Sequence, residues 1–130
     1  MISQLNVVTL YVADAERSLD FFVRKLGFEK RTEVEMSPGR WWHEIGLPGT
    51  ETAVAILRAA DFDRVPAPGL TFTVYCDDVP ATVAELRAVG VAVTDPKEEP
   101  WGTFAQCADP DGHLLILGSR PASARAEGPA

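Results

Sequence analysis

One pattern occurs twice along the chain: an apolar strand, an Asp, a helical stripe closed by Gly, then three further strand segments. A shift of 63 residues carries Asp14 onto Asp77, Val23 onto Leu86, Leu26 onto Val89 and Gly27 onto Gly90, although Phe22 then falls on Glu85. Asp before a helix and Gly after it are general preferences, so single matches carry little weight. The shared order of whole units is what points to internal duplication.

In the first copy, residues 5–12 form an almost unbroken apolar or β-branched run, which predicts a buried strand. Asp14 is the expected N-cap of a helix over 15–26, with Leu19, Phe22, Val23 and Leu26 spaced as one stripe and Gly27 as its positive-φ stop. Strands are predicted over 29–35, 40–47 and 52–58, separated by Ser37-Pro38-Gly39 and Pro48-Gly49. Residues 59–69 (AADFDRVPAPG) lack periodicity and read as a connector. The second copy follows, with a strand over 70–76, a cap at Asp77-Asp78 and a stripe of Val79, Val83, Leu86 and Val89 stopped by Gly90. Its remaining strands are predicted over 91–94, 102–108 and 113–117.

The expected organisation is a single α+β domain over 1–118, with module one at about 4–58, the connector, and module two at 70–118. Residues 119–130 read as a flexible tail with no core contact, dispensable from Ser119 onward. A length of 130 residues, 46% hydrophobic, suits one domain with a real core.

Twelve Lys and Arg against 19 Asp and Glu leave a formal charge of −7. That charge repels phosphate backbones and anionic lipid, so neither nucleic acid nor membrane is an expected partner. No apolar run approaches the roughly 20 residues of a bilayer span, and the first residues lack the pattern of a secretory signal, so a cytoplasmic location is expected. Cys76 and Cys107 have no CxxC spacing and read as two small buried strand residues.

The segment VADAERSLDFFVRKLGF, the D-D-V helix start at Asp77, Trp101-Gly102 and the closing DPDGHLLIL, in that order, resemble the vicinal oxygen chelate superfamily over about residues 4–118. That group includes glyoxalases, bleomycin resistance proteins and extradiol dioxygenases. The resemblance implies two tandem βαβββ modules forming a curled eight-stranded sheet around a cleft, helices outside, and a homodimer. It also implies where metal-dependent members would place four chelators. These are seven residues before Asp14, the fourth position of the AV-x-x-L segment, six residues before Asp77, and four after Gly112. Here those positions hold Val7, Ile56, Thr71 and Ile116. Three lack any donor atom, and one Thr hydroxyl cannot hold a divalent cation against water. No metal or other cofactor is therefore expected.

Of the two His residues, His113 is expected to face away from Ile116 as the polar residue after the DPDG turn, and His43 reads as hydrogen-bonded or surface. Ser18 and Ser37 have no nearby His and no nucleophile elbow, so no catalytic residue is assigned. On the strand at 41–47, alternation puts Trp42, Glu44 and Gly46 on one face and Trp41, His43, Ile45 and Leu47 on the other. The second face is the more apolar, which makes Trp41 a core residue and turns Trp42 and Glu44 toward the cleft. Glu44 is open to two roles, a base or counter-charge in the site, or a solvated partner of Arg40. The aromatic residues are likewise open to a core or a ligand-facing role.

The expected ligand-facing set is Val7, Thr9, Tyr11, Trp42, Glu44, Ile56, Thr71, Thr73, Trp101, Phe104 and Ile116. Flat rings on an apolar wall suit a planar organic ligand, and the net charge favours a neutral or cationic one. The function implied is metal-independent binding of a small organic molecule, resembling drug-sequestering proteins. The alternative is a diverged lyase, isomerase or dioxygenase of the same superfamily.

Overall fold

Both modules begin their helix with the same capped turn. Asp14, in extended conformation, accepts the Arg17 N–H at 3.1 Å ahead of α1 (Ala15–Leu19), and Asp78 accepts the Ala81 N–H at 3.0 Å ahead of α2 (Val79–Ala88). Each bond satisfies an N–H group that a helix start leaves without a partner. The structure, a computed structural model, describes residues 1–66 and 69–120.

The caps lie 64 positions apart and the stops Gly27 and Gly90 only 63, so the first helix carries one residue more. It is taken up in a π-helical turn, Asp20–Lys25, where the Leu26 N–H reaches the Phe21 carbonyl at 3.0 Å. The expected uninterrupted α-helix over 15–26 is corrected accordingly. The wider turn lets the consecutive Phe21 and Phe22 both face inward, in edge-to-face contact at 5.2 Å, with Phe28 on the far side of Phe22 at 5.4 Å. Counting from the caps, Leu19 matches Val83 and Phe22 matches Leu86, and all four are buried. The mismatch of Phe22 with Glu85 therefore arises from that extra residue.

The strands are β1 (Val7–Val12), β2 (Glu29–Ser37), β3 (Arg40–Gly46), β4 (Ala53–Arg58), β5 (Thr71–Tyr75), β6 (Lys97–Glu99), β7 (Gly102–Ala108) and β8 (Leu114–Gly118). They form two four-stranded sheets of identical wiring, ordered β1-β4-β3-β2 and β5-β8-β7-β6. In each sheet the first strand pairs in parallel with the last and the other pairs are antiparallel. The chain divides into two compact units, Met1–Pro68 and Gly69–Ala130, each an α+β module of βαβββ order.

Residues 91–94, predicted as a strand, make only an isolated bridge between Val93 and Cys107. The reason is local. Thr94 donates its N–H to the Gln106 carbonyl at 3.0 Å, but its side-chain Oγ1, at 2.8 Å, takes the returning Gln106 N–H in place of a backbone carbonyl. Pro96, which has no N–H, follows. The ladder resumes only at β6.

The core of module one sets Leu10, Val12, Ile45 and Ile56 against Leu19 and Phe22; that of module two sets Leu115, Leu117 and Cys107 with Val79, Val83 and Leu86. At the closing turn, buried His113 places Nδ1 at 2.8 Å from Asp109 Oδ2, while Asp109 Oδ1 accepts the N–H groups of Asp111 and His113. His113 thus completes a turn.

The ordered module runs past residue 118. Ser119 donates its N–H to the Thr103 carbonyl at 3.0 Å, its Oγ accepts the Thr103 N–H at 2.9 Å, and Arg120 lies over the Tyr75 ring at 5.0 Å. Ser119 extends the β7–β8 ladder by a step and Arg120 adds a ring contact; the remainder of the expected tail, 121–130, lies outside the described residues. A chain ending at Gly118 should be about 1–3 kcal/mol less stable in urea unfolding than one ending at Arg120, from two hydrogen bonds of about 1 kcal/mol each and one cation–π contact.

Candidate functional site

The strand register decides which side chains share the face turned away from the helix. In module one, Thr9, Ala55, Glu44 and Thr32 form one row across the sheet, and Val7, Ala53, Gly46 and Glu29 the next. Tyr11 pairs with Leu57, and because His43 pairs with Ile56, Trp42 stands beside Leu57 in a third row that ends at Val34. Leu10, Ile56, His43 and Ile45 belong to the other face, where α1 packs.

In module two the open face carries Thr71, Thr73 and Tyr75, paired with Leu114, Ile116 and Gly118, and beyond them Phe104, Gln106 and Ala108. Phe104 can lie over Gly118 because a Cβ there would come within 3.1 Å of its ring. Arg31 caps Gly46 in module one in the same way, donating to the Leu47 carbonyl at 2.5 Å and the Thr52 carbonyl at 3.3 Å.

Of the expected set, Val7, Thr9, Tyr11, Trp42 and Glu44 share one open face, and Thr71, Thr73, Phe104 and Ile116 share the other. Ile56 does not join them. It is fully buried on the helix side, one residue out of step with Val7, and its open-face neighbours are Ala55 and Leu57. The AV-x-x-L count lands on the wrong side of the pleat, since a shift of one residue exchanges faces. Trp101 sits in the turn between β6 and β7, 66% exposed, and is not on a strand face.

Alternation holds for β3, but Trp41 is not core. It is 39% exposed and stacks nearly parallel on His43 at 6.1 Å. Burial along β3 deepens only toward Ile45 and Gly46, so the strand's first residues are left uncovered by the helix. On this helix side a cavity of about 390 Å³ is lined by Glu16, Leu19, Lys30, Trp41 and His43 among others. His43 Nδ1 lies 3.1 Å from Glu33 Oε2, a hydrogen bond that holds the Glu33 carboxyl below its usual range, with lesser help from Lys30.

Glu44 has a defined job. Its Oε1 accepts the Trp42 indole N–H at 3.2 Å, two residues along the same strand, and fixes the ring over the open face. The far end of that face is closed by Phe62, from a 3₁₀ turn (Ala59–Phe62), whose ring meets Tyr11 edge-on at 6.3 Å. Sequence reading missed Phe62 because it lies in the connector; a lone aromatic within an Asp- and Pro-rich stretch was the available signal.

The donor chemistry does not fit a divalent metal. Val7, Ile116, Ala55 and Leu57 offer hydrocarbon and Thr71 a hydroxyl, and among the described residues no group of three or more His, Cys, Asp or Glu is placed to hold an ion. Nor are the thiols poised for attack. Burial pushes Cys107 up to about 11, with the neighbouring Cys76 and Asp109 adding to it, and burial raises Cys76 as well.

The wiring, the Asp caps and the DPDG-His turn coincide with a sequence match over residues 4–117 to the Glyoxalase/Bleomycin resistance protein/Dioxygenase superfamily. The chain belongs to that superfamily. The uncharacterized protein YetH of Bacillus subtilis (strain 168) is 30% identical over 118 residues, spanning 90% of this chain and 98% of the relative. TnmS3, an antibiotic binding protein from Streptomyces sp. CB03234, has a crystal structure that superimposes with a TM-score of 0.80 at 32% identity, covering 93% of this chain and 98% of that one. A superfamily member from Sphaerobacter thermophilus DSM 20745 gives a TM-score of 0.81 at 28% identity, over 92% and 98% of the two chains. Superfamily membership fixes the module and leaves the chemistry to the open face.

The corrected position of Trp41 has a direct test. Trp41→Ala should cost no more than about 1 kcal/mol in urea unfolding, whereas Ile45→Ala, two residues along and fully buried, should cost about 2–5 kcal/mol.

Proposed function

We propose that the chain binds a small planar organic molecule on the open face of module one, without a metal. The observation that carries this reading is the floor of Ala55 and Leu57 between the rings of Tyr11 and Trp42, with Glu44 holding the indole in place. Neighbouring strands stand about 4.8 Å apart, so Tyr11 and Trp42, two strands apart, are separated by about 10 Å. Ala55 and Leu57 are 0% and 2% exposed, so a fused-ring ligand reaches Leu57 by displacing the side chains that cover it. Rings of this kind each present about 150–250 Å² of surface, and at about 25 cal/mol per Å² they can offset a substantial part of the cost of association.

Two further observations support it. The positions where metal-dependent relatives would hold an ion carry hydrocarbon or hydroxyl groups, and TnmS3, similar over nearly the whole chain, is an antibiotic binding protein. The reading takes the molecule as a pair of chains in a cytoplasmic setting; light scattering at micromolar concentration should then give twice the chain mass, and a single-chain mass would contradict the pairing.

Isothermal titration with naphthylmethanol, a neutral planar probe, tests the placement. Trp42→Ala should weaken binding by about 1–3 kcal/mol, the scale of a lost aromatic anchor, while Trp101→Ala leaves it unchanged. Binding that survives Trp42→Ala and disappears with Trp41→Ala would move the ligand to the helix side.

A further inference from the structure

Five of the six arginines of module one, all but Arg17 on α1, fall into two groups. Arg24 pairs with Asp20, Arg31 is spent on two carbonyls and Glu29, and Arg58 forms an ion pair with Asp61. Arg40 and Arg64 instead lie on rings: Arg40 Cζ is 4.5 Å from the centroid of Phe62, and Arg64 Cζ is 5.2 Å from that of Tyr11. Neither makes an ion pair or side-chain hydrogen bond with a described residue. Asp61 feels Arg40 only as a lesser pull behind Arg58. Two guanidinium groups therefore sit over the Tyr11–Phe62 pair at one end of the open face, with their charge not neutralised by a bonded carboxylate.

Module two repeats the device. Tyr75 ends β5 as Tyr11 nearly ends β1, 64 positions on, in step with the helix caps, and Arg120 folds back over its ring at 5.0 Å. Arg87, the other arginine of that module's described residues, is bonded to Asp95 and the Val93 carbonyl. In both modules the arginine that follows the last strand is laid on the tyrosine of the first strand.

We infer that the ligand of the open face carries an anionic group, a carboxylate or an acidic phenol on its planar skeleton, bound by Arg40 and Arg64. This rests on the placement proposed above and adds the charge. A ring face holds a guanidinium by its π surface and leaves the N–H edge outward, the geometry that takes a carboxylate through two parallel hydrogen bonds. Glu44, the acidic residue in the middle row, keeps its charge while its Oε1 accepts the Trp42 N–H, so the anionic group is placed at the Tyr11–Phe62 end of the face and not over the middle row. The net charge of −7 points the other way, toward cations. It loses to the local arrangement, because charges beyond the Debye length of about 8 Å are screened while the arginines are in contact.

Three isosteric probes separate the readings by isothermal titration at neutral pH: naphthoate, naphthylmethanol and naphthylmethylammonium. Naphthoate should bind at least about tenfold tighter than the ammonium probe. The double variant Arg40→Gln, Arg64→Gln should erase that preference and leave naphthylmethanol within about twofold. Equal affinities, or preference for the ammonium, with naphthylmethanol still bound, would overturn the inference and leave the placement standing. A naphthoate preference that persists in the double variant would overturn the assignment to these two arginines. Failure of all three probes to bind at millimolar concentration would overturn the placement and the inference together.

Discussion

The parallel pairing of the first strand with the last in each module is the constraint on which the rest depends. Thr9 beside Ala55 and Thr73 beside Ile116 set the pleat of the whole sheet, so every other side chain inherits its face from these pairs. A slip of one residue would send Tyr11 and Leu57 into the helix layer and bring Leu10 and Ile56 out. The slip is forbidden by burial. Leu10, Val12, Ile45 and Ile56 are all within 1% of complete exclusion from solvent, and turning four such side chains outward would forfeit about 1.5–3 kcal/mol each. The hydrophobic layer under α1 therefore positions the aromatic groups on the far side, although no ligand-facing atom belongs to it.

Much of this was legible in the sequence because capping and periodicity are local. Asp14, Gly27, the Val79-Val83-Leu86 stripe and the DPDG turn act within a few residues, and the superfamily resemblance rested on their order. The misses share one cause, which is that local signals do not count residues across a bulge or report what covers a strand. One extra residue in the first helix widens a turn without changing its apolar stripe, so it showed only as the mismatch of Phe22 with Glu85. Residues 91–94 have the composition of a strand, yet the Thr94 hydroxyl takes the hydrogen bond that a backbone carbonyl would need. Trp41 alternates as expected but stands where the helix no longer covers the sheet. Ile56 was placed by a motif count with nothing to fix its phase until its partner, Leu10, was known.

The site was less legible than the fold because its parts come from separated segments. Trp42 and Glu44 were found by alternation along one strand. Phe62 and Arg64 come from a stretch without periodicity, and Arg40 from the edge of a turn; Phe62 and Arg64 reach Tyr11, and Arg40 reaches Phe62, only through the 3₁₀ turn after β4. Net charge, read from composition, describes the field far from the surface, whereas a bound group is governed by what lies within a few ångströms of it. An acidic chain can therefore present arginine at one end of a sheet face.

The three tryptophans give the account its most direct test, because each stands in a different place: Trp42 on the open face of module one, Trp41 on the helix side of the same strand, and Trp101 in an exposed turn of module two. In a proton–nitrogen correlation spectrum each indole N–H is a separate signal. Titration with naphthoate should shift the Trp42 indole, whose N–H is bonded to Glu44, together with the Tyr11 and Leu57 amides, and leave Trp41 and Trp101 in place. A shift confined to Trp41 and the residues around His43 would show that the ligand lies on the helix side, and the open face would then have no claim to the function assigned to it.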